Sequence, residues 1–206
     1  MDNDETKVSQ IIHGCPPFDL SYHYDDDLQD VPNNPGEMRQ AIDFWQAQLD
    51  QPGLEIFQRI KLLGRIGGYA RTLRDLDRAE QALTTALKLS KAIESRRLAA
   101  TNSIKLAHVY QWQQRYIESK TMFEAAIALC KNNLEAAPYL DFAYQHFGKC
   151  KFDQQKYAEA LHCFEQALDI RMEKGEPELI ASTELAIATT HSRQKCHNSD
   201  VSVTYH

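Results

Sequence analysis

Few side chains in this sequence are spaced for chemistry. His13 and Cys15 stand two apart, and His191, Cys196 and His197 lie close together near the C-terminus. Imidazole and thiolate are zinc donors, but neither group has the ligand spacing of a structural site, and no His-Glu-x-x-His segment is present. Asp25, Asp26 and Asp27 could offer oxygens to a divalent ion, although a solvated acidic run is the commoner use of such a triplet. Gly64, Gly67 and Gly68 cluster as the glycines of a phosphate loop do, but no Gly-Lys-Ser/Thr follows them. His162 and Cys163 fit packing or exposed roles, and Cys130 and Cys150 behave as small apolar residues. No nucleophile elbow, no partnered carboxylate pair and no supported Cys–His arrangement emerges. The expectation is a protein that is not an enzyme and needs neither metal nor cofactor.

The elements that would position these groups are helical. The 206 residues contain 22 Ala and 20 Leu against 5 Val, a balance that favours helices over strands. None of the seven prolines falls inside a long apolar-periodic stretch, so Pro35, Pro52, Pro138 and Pro177 mark helix starts or corners. From Gly36 onward apolar residues recur at three and four, predicting helices over about 36–50, 54–74, 77–93, 97–113, 116–132, 137–153, 156–172 and 177–194. Short linkers make neighbouring helices antiparallel. The fold class expected is all-α. No stretch is apolar enough to span a membrane, and the acidic N-terminus lacks a signal-peptide pattern. Five cysteines without a CxxC pair suit a reducing cytoplasm better than a disulfide scaffold.

Charge divides the chain. Residues 1–33 hold eight acids and one base, while residues 34–206 hold 21 acids and 22 bases. From Arg59 to Arg115 the net charge is +8. Residues 1–33 therefore read as an acidic, flexible leader, 34–195 as a helical domain and 196–206 as a frayed tail.

The helical domain repeats itself. Leu76-Asp77-Arg78-Ala79 with Leu83 and Ala86 aligns with Tyr116-Ile117-Glu118-Ser119 with Phe123 and Ala126. Both align with Tyr157-Ala158-Glu159-Ala160 followed by Phe164 and Ala167, at spacings of 40 and 41 residues. The preceding helices align as well, placing Gly67, Ala107, Gly148 and Ala188 in register. A small residue on each first helix lets its partner approach, and Leu83, Phe123 and Phe164 fill the space between. The array is half a repeat, three full repeats and a terminal half.

This pattern resembles the tetratricopeptide repeat, most clearly from Phe147-Gly148 through Tyr157-Ala158-Glu159-Ala160 to Phe164 and Ala167. The period near 40, with Leu106-Ala107-His108-Val109-Tyr110 and Ala167-Leu168-Asp169-Ile170, is similar to the longer repeats of kinesin light chains and bacterial peptide-sensing regulators. The resemblance implies a right-handed α-α superhelix of helix pairs, with the first helices lining a concave groove. Counting from the small residues, the implied groove positions are Lys61, Arg65, Gly68 and Arg71, then Lys105, His108, Gln111 and Trp112. Phe142, Gln145, Lys149 and Phe152 follow, and then Ser182, Leu185 and Thr189. Gly64 and Gly68 would leave the wall bare. The carboxylate clamp of chaperone-binding relatives is largely absent, since Gly64, Gly68, Lys105, Phe142 and His146 stand at its positions.

A basic, aromatic groove suits an acidic peptide or protein segment. The expected function is therefore a non-enzymatic protein-interaction module. The alternative is a regulatory sensor whose groove binds a small peptide or metabolite and controls a partner. A nucleic-acid-binding array fits poorly with a pI near 5.7 and an acidic leader. The segment Tyr22–Asp27 could lie in the chain's own basic groove or in a neighbour's. Phe44, Trp45 and Leu185, on the end helices, could also support a homodimer.

Overall fold

The computed structural model describes residues 18–203; the sequence expectations for His13 and Cys15 lie outside them. A short antiparallel hairpin comes first, β1 (Tyr22–Tyr24) and β2 (Asp30–Pro32), with His23 opposite Val31. The helices follow as α1 (Pro35–Leu49), α2 (Ile56–Thr72), α3 (Leu76–Ala92), α4 (Arg96–Trp112) and α5 (Tyr116–Asn132). After a 3-10 turn at Ala137–Tyr139 come α6 (Leu140–Asp153), α7 (Tyr157–Lys174) and α8 (Pro177–Val203). Consecutive helices pack in antiparallel pairs as a tetratricopeptide-like right-handed superhelix. No described helix is long and apolar enough to cross a membrane.

Local chemistry sets the helix ends. Asn34, Asp75 and Ser95 cap α1, α3 and α4 by accepting from the backbone N–H groups of Glu37, Arg78 and Leu98. Pro35 opens α1 and Gly175 closes α7 in the left-handed region. Between helices, Arg74, Gln114 and Gln155 take positive φ at the spacing of the sequence repeat. The same corner therefore recurs three times without glycine.

Each helix pair closes on one small residue. A Cβ added to Gly148 would sit 2.5 Å from Cε1 and 2.7 Å from Cδ1 of Phe164. Gly67 meets Leu83 and the Ala79 carbonyl in the same way. In the second repeat Ala107 and Phe123 share one core cluster, and Ser119 Oγ donates to the Ala107 carbonyl at 2.8 Å. Trp45 is closed inside the first cluster and tilts against Tyr69 with ring centroids 5.3 Å apart. It serves as a capping contact there, whereas Phe44 and Leu185 keep exposed faces.

A buried charge cluster fastens the C-terminal end. Arg171 of α7 donates to Asp141 of α6 at 3.0 Å and to Thr183 Oγ1 of α8 at 2.6 Å. Lys174 is paired with the other Asp141 oxygen. One carboxylate and two cations thereby join three helices.

Three features differ from the sequence reading. Residues 22–32 form a hairpin, because the Asp25 carboxylate organises its turn by accepting from the N–H groups of Asp27 and Gln29 at 3.0 and 2.8 Å. The last helix continues to Val203, and His197 packs edge-on against Tyr157 at 6.0 Å. The wall at Gly64 and Gly68 is covered: the Lys105 chain lies 3.8–3.9 Å from where their Cβ atoms would be. Gly64 also makes room for Asn102 Oδ1, 2.7 Å from such a Cβ.

Two glycines on first helices should thus respond oppositely to alanine. Gly148→Ala presses on Phe164 and should cost roughly 1–3 kcal/mol. Gly68→Ala meets nothing closer than 3.9 Å and should gain up to about 1 kcal/mol of helix propensity. Thermal and urea unfolding followed by circular dichroism measures both; equal shifts would refute this packing account.

Candidate functional site

The expected groove positions fall on the first helix of each pair. Arg71 comes from α2, His108, Gln111 and Trp112 from α4, and Gln145, Lys149 and Phe152 from α6. Their spacing follows from the 40-residue repeat, which brings equivalent turns of stacked helices side by side. All but Trp112 are buried, and the hairpin packs on Arg71, Lys149 and Phe152.

Asp30 is the centre of that contact. Its carboxylate is 2% exposed, with Arg71 Nη2 at 2.5 Å on one oxygen and Lys149 Nζ at 3.0 Å on the other. Burial would raise this carboxyl, but Arg71 and Lys149 outweigh it and hold it well below the usual carboxylate range. Lys149 Nζ also stands 3.5 Å from the ring centroid of Tyr24, so it is held by a carboxylate and an aromatic face together. Leu28, at positive φ in the turn, fills an apolar site with Phe152, Ala160, Phe164 and Ala186. Further contacts flank this centre. Arg74 donates to Gln29 Oε1 at 2.6 Å, Ser182 Oγ lies 3.4 Å from the Tyr24 hydroxyl, and Arg193 pairs with Asp27 at 2.7 Å.

Trp112 stands at the rim with the guanidinium carbons of Arg71 and Arg74 4.4 and 3.8 Å from its ring centroid. His108 lies between Trp112 and His146, with the two imidazole centroids 4.6 Å apart. Burial and the neighbouring cations push both imidazoles down, His146 to about 3, so both are neutral at physiological pH. Arg71 Nη1, both amide atoms of Gln145 and Nδ1 of His146 are buried without a partner among the described residues.

At the far end of the expected row, Leu185 and Thr189 share a pocket with Tyr24 and Leu28 of the hairpin, whereas Lys61, Arg65 and Lys105 are engaged elsewhere. Lys61 sits over Phe57 at 4.5 Å, Arg65 over Trp45 at 5.8 Å, and Lys105 donates to the Gly64 carbonyl at 3.0 Å. Burial, with Arg71 and Arg65 nearby, pushes the Lys105 amine down to about 8. Sequence reasoning missed Asp30, Arg74, His146, Asp153 and Arg193. Asp30 carried one faint signal: it lies just beyond Leu28, the sole aliphatic residue between Ser21 and Val31.

The tetratricopeptide repeat family model matches residues 97–173. Among curated proteins, none matches the sequence. Solved structures do resemble it. One is BtubC (BKLC) from P. vanneervenii, at a TM-score of 0.62 and 16% identity, over 76% of this chain and 66% of that one. A second is a Rap protein complexed with Competence and Sporulation Factor, at 0.69 and 18%, over 80% of this chain and 46% of that one. The apo form of RapI gives 0.56 and 19%, over 77% and 44%. This chain thus spans just under two thirds of BtubC and less than half of either Rap protein, and at these identities the likeness is one of fold. Residues 97–173 are matched as tetratricopeptide repeats, and the same all-α helix-pair architecture extends to either side of them.

Proposed function

We propose that the chain is a non-enzymatic interaction module whose concave groove takes an extended acidic segment of a peptide or protein. Asp30 carries this reading. A carboxylate lodged between Arg71 and Lys149, beside an aromatic ring on Lys149, is a sample of the ligand chemistry that this wall accepts. Lys61, Arg65 and Lys105 extend the same wall and have no carboxylate within 4 Å among the described residues. The depressed amine of Lys105 supports a place for a further anion, since crowded cations gain most from one.

The chain's own hairpin is then a tethered occupant that an incoming segment must displace. A tether raises its effective concentration to the millimolar range, so free peptide competes poorly while the hairpin is intact. The hairpin reaches α2 through Arg71, α6 through Lys149 and α8 through Arg193. That span favours a second reading, a regulatory sensor in which displacement frees the superhelix pitch; scattering would register a larger radius of gyration on ligand binding. The 40- and 41-residue spacings support grouping the repeats with the longer class. The unpaired thiols of Cys130, Cys150 and Cys163 are consistent with a cytoplasmic setting.

A labelled peptide spanning residues 18–33 tests the reading. The full-length protein should bind it weakly. Asp30→Asn, which leaves Arg71 and Lys149 facing each other without an acid, should bind it at least tenfold more tightly, as should a chain lacking residues 1–33. Adding Lys149→Glu should abolish the gain. Folded variants that fail to bind the peptide would overturn the proposal. Removing one partner of a buried pair typically costs about 3–5 kcal/mol. Here hairpin release caps that cost, so Asp30→Asn should lower the global melting temperature little.

A further inference from the structure

At the rim, where the hairpin turn meets the corners after α4 and α6, the surface encloses a pocket of about 350 Å³. Trp112, Tyr116, Phe152 and Tyr157 provide aromatic surface, and Gln111 and Asp153 stand among its polar groups. This pocket lies beside the Asp30 contact and does not depend on the groove reading above.

Its charges are unevenly satisfied. Arg193 is paired with Asp27 at 2.7 Å, and Arg74 is engaged by Gln29 and the Trp112 face. Lys149, one turn before Asp153 on α6, is committed to Asp30. Asp153 itself has no cation within 4 Å among the described residues; it accepts a hydrogen bond from Gln111 Nε2 at 2.6 Å. That bond fixes the Gln111 amide so that Oε1 faces away from the carboxylate. Gln111 is 2% exposed, and its Oε1 is buried without a partner. The Asp153 carboxylate, held by the Gln111 amide, therefore stands without a paired cation among aromatic rings. Water could satisfy the amide oxygen but would leave the charge uncompensated. A donor-only cation compensates the carboxylate and favours aromatic walls.

We propose that this rim pocket is a binding site for a cationic side chain, the guanidinium or ammonium of an arginine or lysine on a partner polypeptide, received by Asp153 between the aromatic residues, with Gln111 holding the carboxylate in place. Asp153 is then a residue kept for binding at some expense of stability. Burial, with a smaller contribution from Asp27 facing it across the turn, pushes its carboxyl up from 3.8 to about 6, against the opposing pull of Gln111, Lys149 and Arg74. The Tyr116 phenol and the Cys150 thiol, both raised mainly by burial, also feel Asp153, and Tyr157 and Arg193 line the same pocket. The folded state thus holds the proton more tightly than the unfolded chain. The ionised group's cost appears as pH rises from about 4 through 6 and is complete above that.

The test is NMR titration of the full-length protein with Nα-acetyl-arginine amide, using its neutral isostere Nα-acetyl-citrulline amide as control. The arginine probe should give saturable shifts at the Gln111 side-chain amide and the Asp153 and Tyr157 backbone amides at pH 7.5, and citrulline none. Affinity should fall at least tenfold at pH 5 and in Asp153→Asn, while Asp27→Asn reduces it little. Asp153→Asn should melt higher than the wild type at pH 7.5 and no higher at pH 4, which also shows that it folds. Shifts that are absent at saturating probe, equal for citrulline, or unchanged in Asp153→Asn would overturn the proposal.

Discussion

The contact inside each helix pair, one large side chain seated on one small residue, is the constraint from which the rest of the molecule follows. Phe164 lies where a Cβ on Gly148 would be, and Leu83 crowds Gly67. Helices that close brace each other through side chains too short to hold them apart, and stacked pairs then bury what a single pair cannot. Because the spacing repeats at 40 and 41 residues, equivalent turns of α2, α4 and α6 line one wall. Only then do Arg71 and Lys149, 78 residues apart in sequence, reach the two oxygens of a single carboxylate.

The wall's electrostatics sort into two opposite cases. Asp30 is buried but doubly paired, so its carboxyl is held down, and the stabilisation it brings is present above the ordinary value of 3.8 and lost only as the pH falls into strong acid. Asp153 is buried without a cation, so its carboxyl is held up and its burden falls in the neutral range. Between them His108 and His146 are kept neutral by burial and by the same cations. The hairpin contact is therefore indifferent to pH near neutrality, whereas the rim pocket is not. Charge in the sequence divided acids from bases along the chain; in the fold, the leader's Asp30 and the body's Arg71 and Lys149 are the groups that meet.

Local periodicity made the helices, the repeat and the roles of Gly67 and Gly148 legible, because each depends on residues within one repeat. The groove row was an implication of the resemblance; of its members, Arg71, His108, Gln111, Gln145, Lys149 and Phe152 are buried on successive first helices, and Arg71 and Lys149 meet the hairpin. The hairpin was not legible. Its strands are three residues each, too short for an alternating pattern to register, and its turn is organised by a side chain, Asp25, that the sequence offers as one of three identical acids. Asp30 and Asp141 escaped notice because their partners lie 30 to 119 residues away. Gly64 and Gly68 were misjudged for a similar reason. What covers them is Lys105, a long side chain reaching across from the next repeat.

The account rests on a cation pair of the concave wall holding a carboxylate and, through it, the hairpin. Amide hydrogen exchange over residues 22–32 in the wild type and in Lys149→Met reads that contact directly. Loss of Lys149 should reduce protection of the hairpin at least tenfold, a change of about 1.4 kcal/mol, while α2, α4 and α6 keep theirs. Hairpin protection unchanged by the substitution would contradict the account.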